Sequence, residues 1–129
     1  MPDRAALLRV FSYAGCSTCR KALAWLSARG LQPGRDIDVI DITTSPPGPQ
    51  ELRQALSQLG RPRLFNTSGQ SYRALGAEQV KALTDDQAIA ALAADGRLIK
   101  RPFLISCKGE VLTGFKPEEW QALLGCRLG

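Results

Sequence analysis

The apolar run Leu7-Leu8-Arg9-Val10-Phe11-Ser12-Tyr13 leads into Cys16-Ser17-Thr18-Cys19, and a helix-forming stretch, Arg20-Lys21-Ala22-Leu23-Ala24-Trp25-Leu26, follows at once. Strand, cysteine pair and helix in that order restrict this chain more than any other feature. The run is strand-length and almost wholly apolar, as in a central strand buried on both faces. The first turn of the helix then carries backbone N–H groups without intrahelical partners, at the positive end of the helix dipole. A thiolate at Cys16 is stabilised by those donors and, on this reading, by the nearby guanidinium of Arg20. Cys19 lies one turn on, within reach of a reducible disulfide with Cys16. Two plainer uses of the pair stay open. Cys-x-x-Cys is also half of a zinc site, although Cys107 and Cys126 stand far apart and the chain has no histidine. The pair could also be two small buried side chains, against which Gly15 and Ser17-Thr18 argue for an exposed turn.

The 129 residues, 44% of them hydrophobic, suffice for one domain with its own core, spanning residues 1–129. No apolar stretch is long enough for a membrane span, and Met1-Pro2-Asp3-Arg4-Ala5-Ala6-Leu7-Leu8 lacks the apolar core of a signal peptide. A cytoplasmic location is therefore expected, where four cysteines point to catalysis, redox sensing or metal binding rather than a disulfide framework. The net charge of +5 admits a nucleic-acid partner, but the basic residues are scattered singly with little aromatic interleaving. The excess better suits a small anion, an acidic thiol such as glutathione or an acidic protein surface, without direct nucleic-acid binding.

Along the chain, a helix is expected from Thr18 to Arg29, closed by Gly30, and Ile37-Asp38-Val39-Ile40-Asp41-Ile42 reads as a second strand. Together these make a right-handed βαβ unit with parallel strands. After the turn-rich Thr43–Pro49 connector comes a helix with Leu52, Leu56 and Leu59 on one face. The middle of the chain is helical throughout. Asn66-Thr67-Ser68-Gly69 reads as a helix entry, with Tyr72, Leu75 and a stop at Gly76, and Thr84-Asp85-Asp86-Gln87 fits a capping box for a helix running to Gly96. Arg101–Ser106 and Glu110–Thr113, around a Lys108-Gly109 turn, read as a hairpin, and Lys116-Pro117-Glu118-Glu119-Trp120 opens a last helix ending near Gly125. The fold class is α/β, with the thioredoxin-like order βαβ…ββα, a four-stranded mixed sheet and a helical insert over about residues 49–96.

The Cys-x-x-Cys-Arg-Lys-Ala entry, the Phe65-Asn66-Thr67-Ser68-Gly69 segment with Tyr72-Arg73, the Leu98-Ile99-Lys100-Arg101-Pro102 run and Gly114-Phe115-Lys116-Pro117-Glu118-Glu119-Trp120 together resemble the arsenate reductase/Spx family. The resemblance runs from about Leu7 to Leu124, and the pairing of the cysteine motif with Arg-Pro across a helical insert is its specific part. It implies that Cys16 is the nucleophilic thiol, that Arg101 faces it and an oxyanion, and that Pro102 is a cis-proline beside the site. Glutaredoxin-coupled arsenate reductases of the family carry serine where Cys19 stands, and further arginines around the oxyanion. Here Arg61-Pro62-Arg63-Leu64-Phe65-Asn66 occupies the region of one, and Lys116, a point donor without a planar fork, the region of the other. The cysteine pair itself resembles the Spx branch, whose members sense oxidants and bind the RNA polymerase alpha subunit, whereas Asn66-Thr67-Ser68-Gly69 and Gly114-Phe115-Lys116-Pro117-Glu118-Glu119-Trp120 look more like the family's uncharacterised reductase-like branch.

Two functions follow. The first is a thiol-dependent oxidoreductase resembling arsenate reductases. Cys16 attacks an oxyanion or disulfide, Cys19 or an external thiol resolves the intermediate, and Arg20, Arg101, Pro102 and Lys116 contact substrate. No bound cofactor or metal is expected, with glutathione and glutaredoxin, or thioredoxin, as reductant. Without a histidine base, thiolate formation falls to the helix start and the arginines. The alternative is a redox-sensing regulator of Spx type. Cys107 and Cys126 lack an electropositive helix-start setting and read as incidental small residues, a glutathionylation or resolving role being the other option. Trp25 and Trp120 are expected in the core, and Tyr13 in strand packing rather than lining the site.

Overall fold

Side-chain alternation along a strand sends neighbours to opposite faces of a sheet, and in the computed structural model that alternation decides the architecture. The structure describes residues 8–106 and 108–128, the last four by backbone alone. Among them, β1 (Leu8–Ser12), α1 (Ser17–Ala28) and β2 (Ile37–Asp41) form the first unit. Then come α2 (Pro49–Leu59), α3 (Arg61–Leu64), α4 (Gln70–Leu75), α5 (Ala77–Ala82), α6 (Asp85–Ala94) and a single 3₁₀ turn at Gly96–Leu98. The hairpin β3 (Phe103–Ile105) and β4 (Val111–Thr113) and the helix α7 (Pro117–Leu128) complete the order.

The sheet runs β2-β1-β3-β4, so β1 and β3 are central. Val10 pairs in parallel with Val39 and antiparallel with Leu104, and Leu104 pairs antiparallel with Leu112. This is the four-stranded mixed sheet of a thioredoxin-like fold, as the element order predicts. Leu8, Val10 and Leu104 project to one face, where they meet Ala22 and Leu26 of α1 and Trp120 and Leu123 of α7. Phe11, Phe103 and Ile105 project to the other, against Leu52 and Ala55 of α2 and Ala88, Ile89 and Leu92 of α6. On that second face Arg9 pairs with Glu51 of α2. Burial of one such large apolar side chain contributes about 1.5–3 kcal/mol, so the two clusters set the sheet's register firmly.

The helix caps are local. Thr84 accepts from the Gln87 N–H at 3.1 Å while the Gln87 side chain accepts from the Thr84 N–H at 2.9 Å, the capping box that the sequence announces. Gly30, at φ +79°, closes α1. Several boundaries differ from the sequence reading. The helices α3 and α5 are additional, each too short to show an apolar period. Arg101 and Pro102, joined by a cis peptide, precede β3 rather than belonging to it, and the chain bends at both. Gly125 does not end the last helix, which runs to Leu128. A glycine can stand inside a helix at a cost of about 1 kcal/mol. Trp120 is fully buried as expected, but Trp25 is only half-buried, with the Arg29 guanidinium 3.6 Å from its ring centroid. Leu7, expected in the first strand, and Cys107, expected at the hairpin tip, lie outside the described residues, as does the side chain of Cys126.

Two backbone ties join the helical segment to the loop ahead of β3. The Asn66 N–H donates to the Leu98 carbonyl at 2.7 Å, and the Lys100 N–H to the Leu64 carbonyl at 2.9 Å. They set Asn66–Gly69 beside Lys100 and Arg101, opposite the start of α1.

Candidate active site

Cys16 is the N-cap of α1, in extended conformation, with its Sγ accepting the Cys19 N–H at 3.4 Å. A sulfur thus takes the place that serine or aspartate oxygen usually holds at a helix start. The Cys16 N–H donates to the Tyr13 carbonyl at 3.0 Å, closing the turn that presents the thiol. Cys16 is partly exposed, whereas Cys19 behind it is fully buried, and both are free thiols. Partial burial pushes the Cys16 thiol up. The Cys19 N–H, the Cys19 thiol, the Arg101 charge and the Thr18 N–H together outweigh that and hold it below the ordinary thiol value. Burial also pushes Cys19 up, to about 11, with the neighbouring Cys16 adding to the rise against hydrogen bonds from Tyr13 and Ser12. One thiol is therefore poised to ionise and its neighbour to stay protonated.

Three cavities open around Arg101. The first, about 290 Å³, is lined by Cys16, Thr18, Asn66, Ser68, Gly69, Lys100 and Arg101. A second, about 420 Å³, adds Arg63, Thr113 and Lys116 on the β4 side. The third, about 390 Å³, extends past Asn66 to Arg97 and Tyr13. Among the described residues no carboxylate lines any of them. Arg53 and Arg61 are paired with Asp86 and Asp85 at 2.8 and 2.9 Å, and Arg63 with Glu119 at 3.0 Å. Among the described residues Arg97, Lys100, Arg101 and Lys116 have no such acidic partner. These four cations border the cavities onto which the thiol opens, an arrangement suited to an anion.

The structure brings Cys16, Cys19 and Arg101 together and sets Lys116 on the second cavity, whereas the cis Pro102 is buried behind Arg101 and lines none of the three. The Pro102 carbonyl accepts the Gly114 N–H at 3.0 Å, and the Gly114 carbonyl accepts the Trp120 Nε1–H at 3.1 Å, which fixes the loop carrying Lys116. Arg20 is not brought in as expected. Its guanidinium donates to the Ala14 carbonyl at 2.7 Å, and the charge that lowers Cys16 is that of Arg101. One turn into α1, Arg20 points back along its own loop, as helical side chains lean toward the N-terminus. Tyr13 is likewise not spent on strand packing: it lies past the end of β1, 38% exposed, with its ring at the site. Sequence reasoning left out Lys100, Asn66, Ser68 and Arg97. Lys100 adjoins Arg101 and carried a signal. Asn66 and Ser68 read as a helix entry until the two backbone ties place them, and nothing in the sequence singles out Arg97. Among the described residues no three cysteine, histidine, aspartate or glutamate side chains gather as a metal site would need, and no helix is long and apolar enough to cross a membrane.

The ArsC family model matches residues 11–123, and the chain belongs to that family. It is 37% identical over 118 residues to the uncharacterized protein YusI of Bacillus subtilis, covering 88% of this chain and 95% of that one. A solved structure from Streptococcus mutans, described as that of a possible arsenate reductase, is 40% identical, with a TM-score of 0.78 over 90% of this chain and 98% of the other. The global transcriptional regulator Spx of Streptococcus agalactiae is 28% identical over 120 residues, 92% of this chain and 83% of the regulator. The fold and the family relationships support a thiol-dependent, reductase-like function.

Proposed function

We propose that the protein is an oxidoreductase in which the Cys16 thiolate attacks an oxyanion or a disulfide. The observation that supports this best is the asymmetry of the cysteine pair: an accessible thiol at a helix start, lowered by the Arg101 charge, backed by a buried thiol raised to about 11. With arsenate, the Cys16 sulfur bonds to arsenic and a hydroxyl departs as water. A second thiol, Cys19 or glutathione, then attacks the Cys16 sulfur. The As–S electron pair stays on arsenic, arsenite leaves, and the two sulfurs, together oxidised by two electrons, are joined as a disulfide. With a disulfide substrate, Cys16 displaces one thiolate to give a mixed disulfide. Cys19 then displaces the other, its proton passing to the departing sulfur. Arg101, Lys100 and Lys116 hold the anion, and glutathione with glutaredoxin, or thioredoxin, returns the enzyme to its dithiol in a reducing cytoplasm.

The test is turnover by the reduced protein of arsenate, with glutathione plus glutaredoxin in one arm and thioredoxin in the other, and of glutathione disulfide with thioredoxin alone, since glutathione as reductant would regenerate that substrate. Turnover in at least one arm, lost in Cys16→Ser, is expected. Turnover that survives Cys16→Ser, or none with either substrate, contradicts the proposal. The likeness to Spx, with a cysteine pair that resembles that branch, favours a second reading, a redox-sensing regulator that docks on the RNA polymerase alpha subunit. Oxidation-dependent binding to that subunit without turnover would select it.

A further inference from the structure

Three contacts converge on Tyr13. Its carbonyl accepts the Cys16 N–H at 3.0 Å, and its ring centroid lies 5.0 Å from the Arg101 guanidinium carbon, within the range of cation–π attraction. The ring also covers Gly15: a Cβ added there would stand 2.7 Å from Tyr13 Cε2 and 3.1 Å from Cζ. Gly15 has no left-handed φ to require glycine, so what a side chain would disturb there is the ring. Among the described residues Arg101 has no acidic partner, and an arginine without one keeps most of its rotamer freedom. Since Arg101 borders all three cavities, the direction of its guanidinium decides which of them receives the charge.

We propose that Tyr13 is a positioning residue: its ring holds the Arg101 guanidinium at the mouth of the Cys16 cavity, and the absent side chain at Gly15 leaves the ring its place. The inference rests on Cys16 being the nucleophile. The groups that face Cys16 are Arg101 and Lys100 from the loop before β3, the Cys19 thiol from α1, and the neutral Thr18, Asn66 and Ser68. Among the described residues no carboxylate lines that cavity, so a displaced Arg101 shows directly in the ionisation of Cys16 and in the binding of an anionic substrate.

The experiment follows iodoacetamide alkylation of Cys16 across pH by peptide mapping, together with kcat and KM for glutathione disulfide and a thermal melt for each variant. Tyr13→Ala should raise the Cys16 pKa by about half a pH unit, the scale of an exposed cation–π contact, and slow alkylation at lower pH about threefold. It should raise KM more than it lowers kcat. Tyr13→Phe, which keeps the ring, should return the alkylation profile to within about twofold of wild type. Gly15→Ala should shift the profile in the same direction as Tyr13→Ala, and should add nothing in the Tyr13→Ala background, where there is no ring to displace. If Tyr13→Ala leaves profile and KM unchanged while Arg101→Ala shifts both, the positioning role is wrong and the pairing of Arg101 with Cys16 stands. If neither variant shifts them, both ideas fall. Additive effects of Gly15→Ala and Tyr13→Ala would also overturn the proposal, because the glycine would then serve the backbone alone.

Discussion

Cys16 and Cys19 stand three residues apart and differ in ionisation because the helix start treats them differently. Cys16 receives N–H donors and the Arg101 charge, whereas Cys19 lies in the core side of the first turn and is fully buried. The raised Cys19 value, about 11, means that the fold favours the protonated thiol. The stability this contributes is fully present below the ordinary thiol pKa of about 8.5 and is lost as pH rises through the folded value. Cys19→Ala should therefore flatten the alkaline fall of the melting temperature relative to wild type. Parallel melts across the alkaline range check this, and identical slopes would show that burial leaves Cys19 unperturbed. At Arg101 the substitution to lysine keeps the charge but loses the planar fork. Activity should fall, while stability, measured by urea unfolding, should change by less than about 1 kcal/mol, the usual scale for a side chain outside the core. The cysteine motif and Arg101-Pro102 were both legible as local strings. The orientation of Arg20 and the exposure of Tyr13 were not, since each depends on where a side chain turns after the backbone is placed.

At the scale of elements, the 3₁₀ turn Gly96–Leu98 is the joint between the helical segment and the site loop. Gly96 is buried, and a Cβ there would fall 1.8 Å from the carbonyl oxygen of Ile42, the residue after β2, closer than any packing permits. Gly96→Ala should cost about 2–3 kcal/mol, and it should do so by moving backbone, since the obstacle is not a flexible side-chain tip. Chemical denaturation measures the loss. A stability within about 0.5 kcal/mol of wild type would mean that the turn yields freely. The elements with a full period were readable beforehand: β1 and β2 by their apolar runs, α2 by Leu52, Leu56 and Leu59, and α6 by its Thr84 and Gln87 box. Helices α3 and α5, of four and six residues, were not, because they are shorter than two turns and are held by tertiary partners. Arg61, for example, donates to the Val80 and Leu83 carbonyls at 3.2 and 2.7 Å, tying α3 to α5.

At the scale of the whole molecule, basic residues that are scattered singly in the sequence meet in part at the cleft. Acidic partners take up Arg9, Arg35, Arg53, Arg61 and Arg63, and the cations left unpaired at the cleft are those of Arg97, Lys100, Arg101 and Lys116. A net charge of +5 shows none of that arrangement, which is why Lys100 and Arg97 went unassigned until the fold placed them. An anionic substrate should accordingly bind less well as salt screens the cleft. KM for glutathione disulfide should rise between low and physiological ionic strength with kcat little changed. A salt-independent KM would argue that the cleft does not hold the anion. The central claim, that Cys16 is the attacking thiol and Cys19 the one that resolves, is tested most directly by trapping. Reduced Cys19→Ser protein is mixed with glutathione disulfide, and the adduct is located by peptide mass spectrometry. The account predicts one glutathione per chain on Cys16, persisting because the resolving thiol is gone, whereas wild type under the same conditions passes on to a Cys16–Cys19 disulfide. Glutathione found instead on Cys107 or Cys126, or an unmodified Cys16, would contradict it.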